Sequence, residues 1–216
     1  MVSRPIGLSR DLENNRAMRA DVDQTDVVVW RNSKGQLAAW NNRCPHRGMR
    51  LSHGFVRGDR LACLYHGWQY DTAGSCKLIP AHPELDPPTT ITTQVYFVIE
   101  ENGVIWVNTK EPARAEIELN NVLPLRTFTV KAAKETIQKA AAKTKGNREV
   151  SNPSSALYQC VIDDRTVSLL CNPASAQVTV VSVLVENGAN ALDLRQLSRW
   201  CEQLRQQAEN ECEVPA

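Results

Sequence analysis

Apolar residues in the first half of this chain fall in short β-branched runs, and helix-spaced stripes take over only later. Val27-Val28-Val29-Trp30 and Leu37-Ala38-Ala39-Trp40 flank Asn32-Ser33-Lys34-Gly35, which predicts a hairpin. A second short hairpin is expected around Arg57-Gly58-Asp59, and a strand and turn at Gln69-Tyr70-Asp71 and Gly74. Residues 95–100 and 104–107 enclose Asn102-Gly103, a dipeptide that favours a tight hairpin. Residues 1–23 are polar and predict a loop leading into a short turn. Pro80, Pro83, Pro87, Pro88 and Pro112 punctuate the links between strands.

The pattern changes after Pro124. A short strand is predicted over 127–130, followed by an Ala- and Lys-rich helix over 131–143. Ala133, Ile137, Ala140 and Ala141 share one face of that helix. Residues 145–153 read as a polar loop. Strands follow over 156–162, 167–171 and 178–185, with Asp163-Asp164-Arg165 and Asn172-Pro173 as turns. The last element is a helix near 192–209, capped by Asn190 or Asp193. Its buried stripe is Leu197, Cys201, Leu204 and Ala208, with Arg195, Arg199 and Arg205 facing outward. The fold class is therefore α+β, with an all-β module over 1–115 and a small α+β domain over 116–216.

Composition narrows the function. The 216 residues carry 25 basic and 24 acidic side chains, a balance that suggests no nucleic-acid or membrane-surface partner. No run of eighteen apolar residues occurs, and residues 1–23 are too polar for a signal peptide. Seven cysteines, an odd number at irregular spacing, fit a reducing cytoplasm better than a disulfide framework. A cytoplasmic location without a membrane span is expected.

The candidate chemistry lies between Cys44 and Trp68. Cys44 and His46 form one potential ligand pair, Cys63 and His66 another. Two thiolates and two imidazoles are what a Rieske [2Fe–2S] centre requires, with the cysteines on one iron and the histidines on the other. Zinc also accepts two cysteines and two histidines. The flanks favour iron–sulfur: Gly48 and Gly67 lie where a Cβ would obstruct amides approaching inorganic sulfide, and Pro45 stiffens the first loop. His53 is expected to face solvent, and Cys76 and His82 to be structural or superficial. Cys160, Cys171, Cys201 and Cys212 lack any closely spaced pair and read as free thiols. Lys131, Lys134, Lys139, Lys143 and Lys145 make a basic face that could dock an acidic redox partner or simply be solvated.

The segments CPHRG and CLYHGW resemble the Rieske motif of the ring-hydroxylating and demethylating non-haem oxygenases, and Trp40-Asn41-Asn42-Arg43 is similar to the family's lead into the first cysteine. Respiratory Rieske proteins add a disulfide pair in these loops. This chain has Arg47-Gly48-Met49 and Leu64-Tyr65 there, so the resemblance implies the lower-potential oxygenase type. It also implies a [2Fe–2S] cofactor held by Cys44, His46, Cys63 and His66, with Arg47, Gly48, Tyr65, Gly67 and Trp68 around them. The order of elements after residue 116 resembles a shortened helix-grip domain, the catalytic architecture of the family. There a mononuclear iron sits on two histidines and a carboxylate. The four histidines here are 46, 53, 66 and 82, so nothing downstream matches that triad and no catalytic residue is assigned. The resemblance then implies an electron-transfer protein, with a reductase as donor and a separate catalytic oxygenase subunit as acceptor. Alternatives are an oxygenase component whose partner subunit in a hetero-oligomer supplies the mononuclear iron, and a redox-sensing cluster protein. A homo- or hetero-oligomer is compatible with each.

Overall fold

The structure is a computed structural model that describes residues 3–115, 119, 121–144, 147–151 and 156–213. The strands in chain order are β1 (Arg4–Leu8), β2 (Arg16–Val22), β3 (Thr25–Arg31), β4 (Leu37–Asn41), β5 (Phe55–Arg57), β6 (Arg60–Ala62), β7 (Gln69–Asp71), β8 (Cys76–Leu78), β9 (Val95–Glu101) and β10 (Val104–Asn108). Then come β11 (Val122–Val130), the helix α1 (Lys134–Lys143), β12 (Asn147–Ser151), β13 (Leu157–Ile162), β14 (Arg165–Ser175), β15 (Val178–Glu186) and the helix α2 (Ala191–Glu213). They form a six-stranded sheet in the order β1-β10-β9-β4-β3-β2, a four-stranded sheet β5-β6-β7-β8, and a five-stranded sheet β11-β15-β14-β13-β12. The α+β class holds.

Two compact units result. The first is built mainly from 9–99 and 107–114; the second takes the described residues from Ala115 onward together with Ser3–Leu8 and Glu100–Trp106. In the first unit, the run Val27-Val28-Val29-Trp30 is buried on both faces of β3, a central strand whose edges are paired with β2 and β4. Trp30 meets Trp40 edge-on at 5.0 Å between ring centroids, and Trp40 meets Tyr70 at 6.3 Å. These rings join Cys44, Leu51, Leu61, Cys63, Cys76 and Ile79 in one core beneath the candidate site. All three hairpins expected over 27–107 form. The polar opening does not stay a loop: β1 and β2 bury Ile6, Leu8, Ala20 and Val22, short apolar pairs interrupted by Gly7 and Asp21 and set among Arg4, Arg10, Arg16 and Arg19.

In the second unit, α1 and α2 pack Ile137, Ala140, Ala141, Leu197, Cys201, Leu204 and Ala208 onto the five-stranded sheet. Four expectations need correction. β11 begins at Val122 and runs through Pro124, tolerated because β11 is an edge strand. β14 continues through Asn172-Pro173 rather than turning there. Its pairing with β13 ends at Leu170, so Pro173 leaves no ladder bond unmade on that side. The loop expected over 145–153 contains β12, paired with β13; residues 145, 146, 152 and 153 lie outside the described residues. Finally, α1 starts at Lys134, not Lys131. The Lys131 amide donates to Glu209 and the Ala132 carbonyl accepts from Thr179, so both are engaged before the helix begins. At α2, Asn190 Oδ1 accepts from the amides of Leu192 and Asp193 while Asp193 accepts from the Asn190 amide, a reciprocal cap.

Candidate metal centre

The two candidate loops share one backbone pattern. In the first, the Cys44 amide donates to the Met49 carbonyl (2.8 Å) and the Gly48 amide to the Cys44 carbonyl (2.8 Å). In the second, Cys63 donates to Trp68 (2.9 Å) and Gly67 to Cys63 (3.0 Å). Both glycines are left-handed, at φ +69° and +71°. At Gly48 the left-handed turn requires glycine for its backbone angle, and an added Cβ would meet no protein atom within 4 Å. At Gly67 a Cβ would lie 3.1 Å from Pro80 Cγ, so angle and space both act.

The loops place like donors together. Cys44 and Cys63 are buried side by side at the base, and the backbone amides of Tyr65 and His66 point at the Cys63 sulfur. Burial first, and the neighbouring Cys44 next among the raising influences, push the Cys63 thiol up. His46 and His66 stand at the rim with centroids 4.7 Å apart. Desolvation, then the His66 and Arg47 charges, hold His46 below the ordinary imidazole range. Among the described residues no three His, Cys, Asp or Glu side chains converge on one point. Donors sorted into a sulfur pair and a nitrogen pair fit two irons two by two, and fit poorly the tetrahedron a single zinc requires.

The expected neighbours take distinct positions. Trp68 stacks on His46 at 4.1 Å and 5°, and Tyr65 lies tilted on His66 at 3.9 Å. These rings fix the imidazole planes, while Leu64 and Tyr65 remain more than half exposed beside them. Arg47 is exposed next to His46. His53 and His82 are exposed and Cys76 is buried, away from any ligand role. Cys160, Cys171 and Cys201 are buried free thiols, and Cys212 is exposed.

Two residues outside the ligand motif also shape the site. Tyr70, two positions after Trp68 on β7, brings its hydroxyl to 3.2 Å from Cys44 Sγ. Burial, then contact with Cys44, pushes its phenol far above the usual range, so it remains protonated and able to donate to a thiolate. The buried Asn42 ties loop to sheet. Its amide nitrogen reaches Asp26 (2.9 Å) and Ser52 (3.0 Å), and its oxygen accepts from the Ser52 amide (2.8 Å). Asp26 also pairs with Arg50 at 3.2 Å and Arg19 at 2.7 Å. Burial raises the Asp26 pKa, but the hydrogen bonds from Asn42, Arg19 and Arg50 prevail and hold it below the usual range.

Residues 3–105 match the Rieske [2Fe-2S] domain. The oxidoreductase NdmD of Pseudomonas putida is 36% identical over 116 residues, 53% of this chain and 20% of that protein. Among solved structures, NdmA of Pseudomonas putida CBB5 superposes with a TM-score of 0.74 at 18% identity, covering 99% of this chain and 81% of that one. Dicamba monooxygenase bound to 3,6-dichlorosalicylic acid superposes with a TM-score of 0.75 at 15% identity, covering 96% and 85%. At such identities the structural likeness concerns the fold. The chain spans about a fifth to a quarter of the length of the curated relatives it matches. The likeness suggested by CPHRG and CLYHGW is thereby established, and with it a Rieske-type [2Fe–2S] cofactor.

Proposed function

Because the chain carries a Rieske [2Fe–2S] domain, we propose that it is an electron-transfer component of a non-haem oxygenase system, passing single electrons from a reductase to a catalytic iron held elsewhere. Cys44 and Cys63 hold one iron and His46 and His66 the other. When bound, the cluster accepts and releases one electron at a time. The protein's part is to bury the sulfur side and leave the histidine side at the surface. Leu51, Leu61 and Ile79 keep water from the cysteines, the Tyr65 and His66 amides stabilise negative charge on Cys63, and Tyr70 does so at Cys44. Stacking on Trp68 and contact with Tyr65 hold the imidazoles in place, so little rearrangement accompanies exchange.

The observation that carries this reading is the pairing of such a site with a chain that has no histidine after His82. A two-histidine, one-carboxylate iron site finds no histidine donor in the second unit. Reconstituted protein, reduced with dithionite, should give a Rieske-type EPR signal with two irons per chain. A zinc-loaded, EPR-silent product, or a third iron retained after gel filtration, would sink it.

A second reading has support of its own. The superposition on NdmA covers almost the whole chain, so the second unit keeps the oxygenase fold without its histidines. A retained fold of this kind suits an assembly surface in a hetero-oligomer whose partner subunit supplies the mononuclear iron and substrate pocket. Co-purification of a catalytic subunit with this chain, rather than of a reductase alone, would favour it.

A further inference from the structure

We propose that a basic groove beside the histidine rim is the docking site for an acidic redox protein, which places carboxylates against Arg43, Arg47 and His53 while its redox centre faces His66. The inference rests on the cluster assignment above and adds the chemistry of the partner.

The groove, about 340 Å³, is lined by Arg43, Arg47, Gly48, Met49, Arg50, His53 and Tyr65. Among the described residues, three guanidiniums and an imidazole line it and no carboxylate does. Two of the arginines are held in place: Arg43 donates to the Gly48 carbonyl at 3.2 Å, and Arg50 pairs with Asp26 at 3.2 Å. Asp26 also serves Arg19 and lies outside the lining, so it offsets only part of the local charge. Arg47, exposed at the tip of the first loop, makes no hydrogen bond or ion pair among the described residues. Tyr65 belongs both to this lining and to the ring contact on His66, so whatever fills the groove touches the rim. Leu64 and Tyr65 add an exposed apolar edge beside the charges. A small apolar centre with a charged border is the composition of a transient interface.

The basic helix α1 is a weaker candidate. Lys143 pairs with Glu211 at 3.1 Å and Lys134 lies 3.8 Å from Glu135, so its charge is partly spent within the fold.

The test uses holoprotein and a decaglutamate peptide carrying a neutral fluorophore, with decalysine as the reverse probe. Anisotropy should show decaglutamate binding at about 20 mM salt and not at 0.5 M, where screening acts within a few ångströms. Arg47→Glu should weaken binding by roughly tenfold and Arg47→Gln by less, while Lys139→Glu on α1 changes nothing. Saturating decaglutamate should also slow one-electron oxidation of the reduced protein by ferricyanide, which becomes ferrocyanide, because the peptide covers the rim. Equal weakening by Lys139→Glu, unchanged binding in both Arg47 variants, or bound peptide without slowed oxidation each overturns the docking site. Absence of the EPR signal from wild-type protein instead overturns the cluster assignment, whatever the peptide does.

Discussion

Each unit of this protein buries three cysteines, and Cys44 and Cys63 of the first have chemical prospects opposite to those of the second unit's three. Cys44, Cys63 and Cys76 lie in a core shared with the Tyr70 hydroxyl, under loops whose amides point at sulfur and whose histidines reach the surface. Cys160, Cys171 and Cys201 sit among Ile137, Val183, Leu197 and Leu204, and burial pushes each thiol up to about 12. Burial alone makes a cysteine inert. A thiolate ligand needs burial together with donors that stabilise its charge and an open side from which metal and electrons arrive. The first unit builds that combination from two short turns of the same design, and the second has only the burial.

The strongest way to break this comparison is to remove one sulfur from each unit. Cys63→Ser should abolish the visible absorbance and EPR signal of the cluster, whereas Cys171→Ser should keep both and lower stability by about 1–3 kcal/mol through a buried hydroxyl. Loss of the signal in Cys171→Ser without unfolding would show that the second unit takes part in the metal site.

Alkaline pH provides the next test. The thiols of Cys160, Cys171 and Cys201 rise in the fold from 9.0 to about 12. Below pH 9 they are protonated whether the chain is folded or not, so the contribution is fully present there. Between pH 9 and 12 the unfolded chain has lost protons that the fold keeps, and stability falls as pH rises. Each thiol contributes up to about 1.4 kcal/mol per pH unit across that window. Urea midpoints should therefore drop steeply above pH 9, and Cys171→Val should flatten the fall by removing one such contribution. A slope unchanged in that variant would mean the thiol titrates as it does in water.

Within the first unit the comparison sharpens to two glycines. Gly48→Ala and Gly67→Ala both place a Cβ at positive φ, at a cost of about 1–2 kcal/mol. Gly67→Ala adds the encounter with Pro80 at 3.1 Å, whereas Gly48→Ala meets no protein atom within 4 Å. The Gly67 variant should be the less stable and should lose iron sooner on dilution. The reverse order would place the constraint in the first loop.

Much of the centre was legible in the residues themselves, because ligand types, spacing and flanking glycines are local. The hairpin before Cys44, the second around Gly58 and the turn at Asn102-Gly103 were legible for the same reason. What escaped depended on distant partners. Pro124 and Pro173 looked like breaks, and only an edge position and an expired ladder make them harmless. The β-strands in 4–22 were hidden among charged residues whose neighbours supply their burial. Asn42 and Tyr70 reach the site from a strand end and another sheet, so motif spacing holds no trace of them.

The smallest expected effect tests whether the polar neighbour of the first trio tunes the cluster. Reduction adds negative charge, part of which falls on the ligand sulfurs, and the Tyr70 hydroxyl 3.2 Å from Cys44 Sγ stabilises it. Tyr70→Phe removes the donor and keeps the ring in its packing. A hydrogen bond to a charged group is worth about 1.5–3 kcal/mol, but both oxidation states share most of it. The differential is therefore on the order of 50 mV, with the potential of Tyr70→Phe the lower. Tyr158→Phe is the matched control, since Tyr158 donates to the Gln138 carbonyl at 2.9 Å inside the second unit. Its removal should lower stability by about 1 kcal/mol and leave the potential where it was. Equal shifts in the two variants would mean that the potential responds to general loosening of the fold, and the hydroxyl at Cys44 would lose its assigned part.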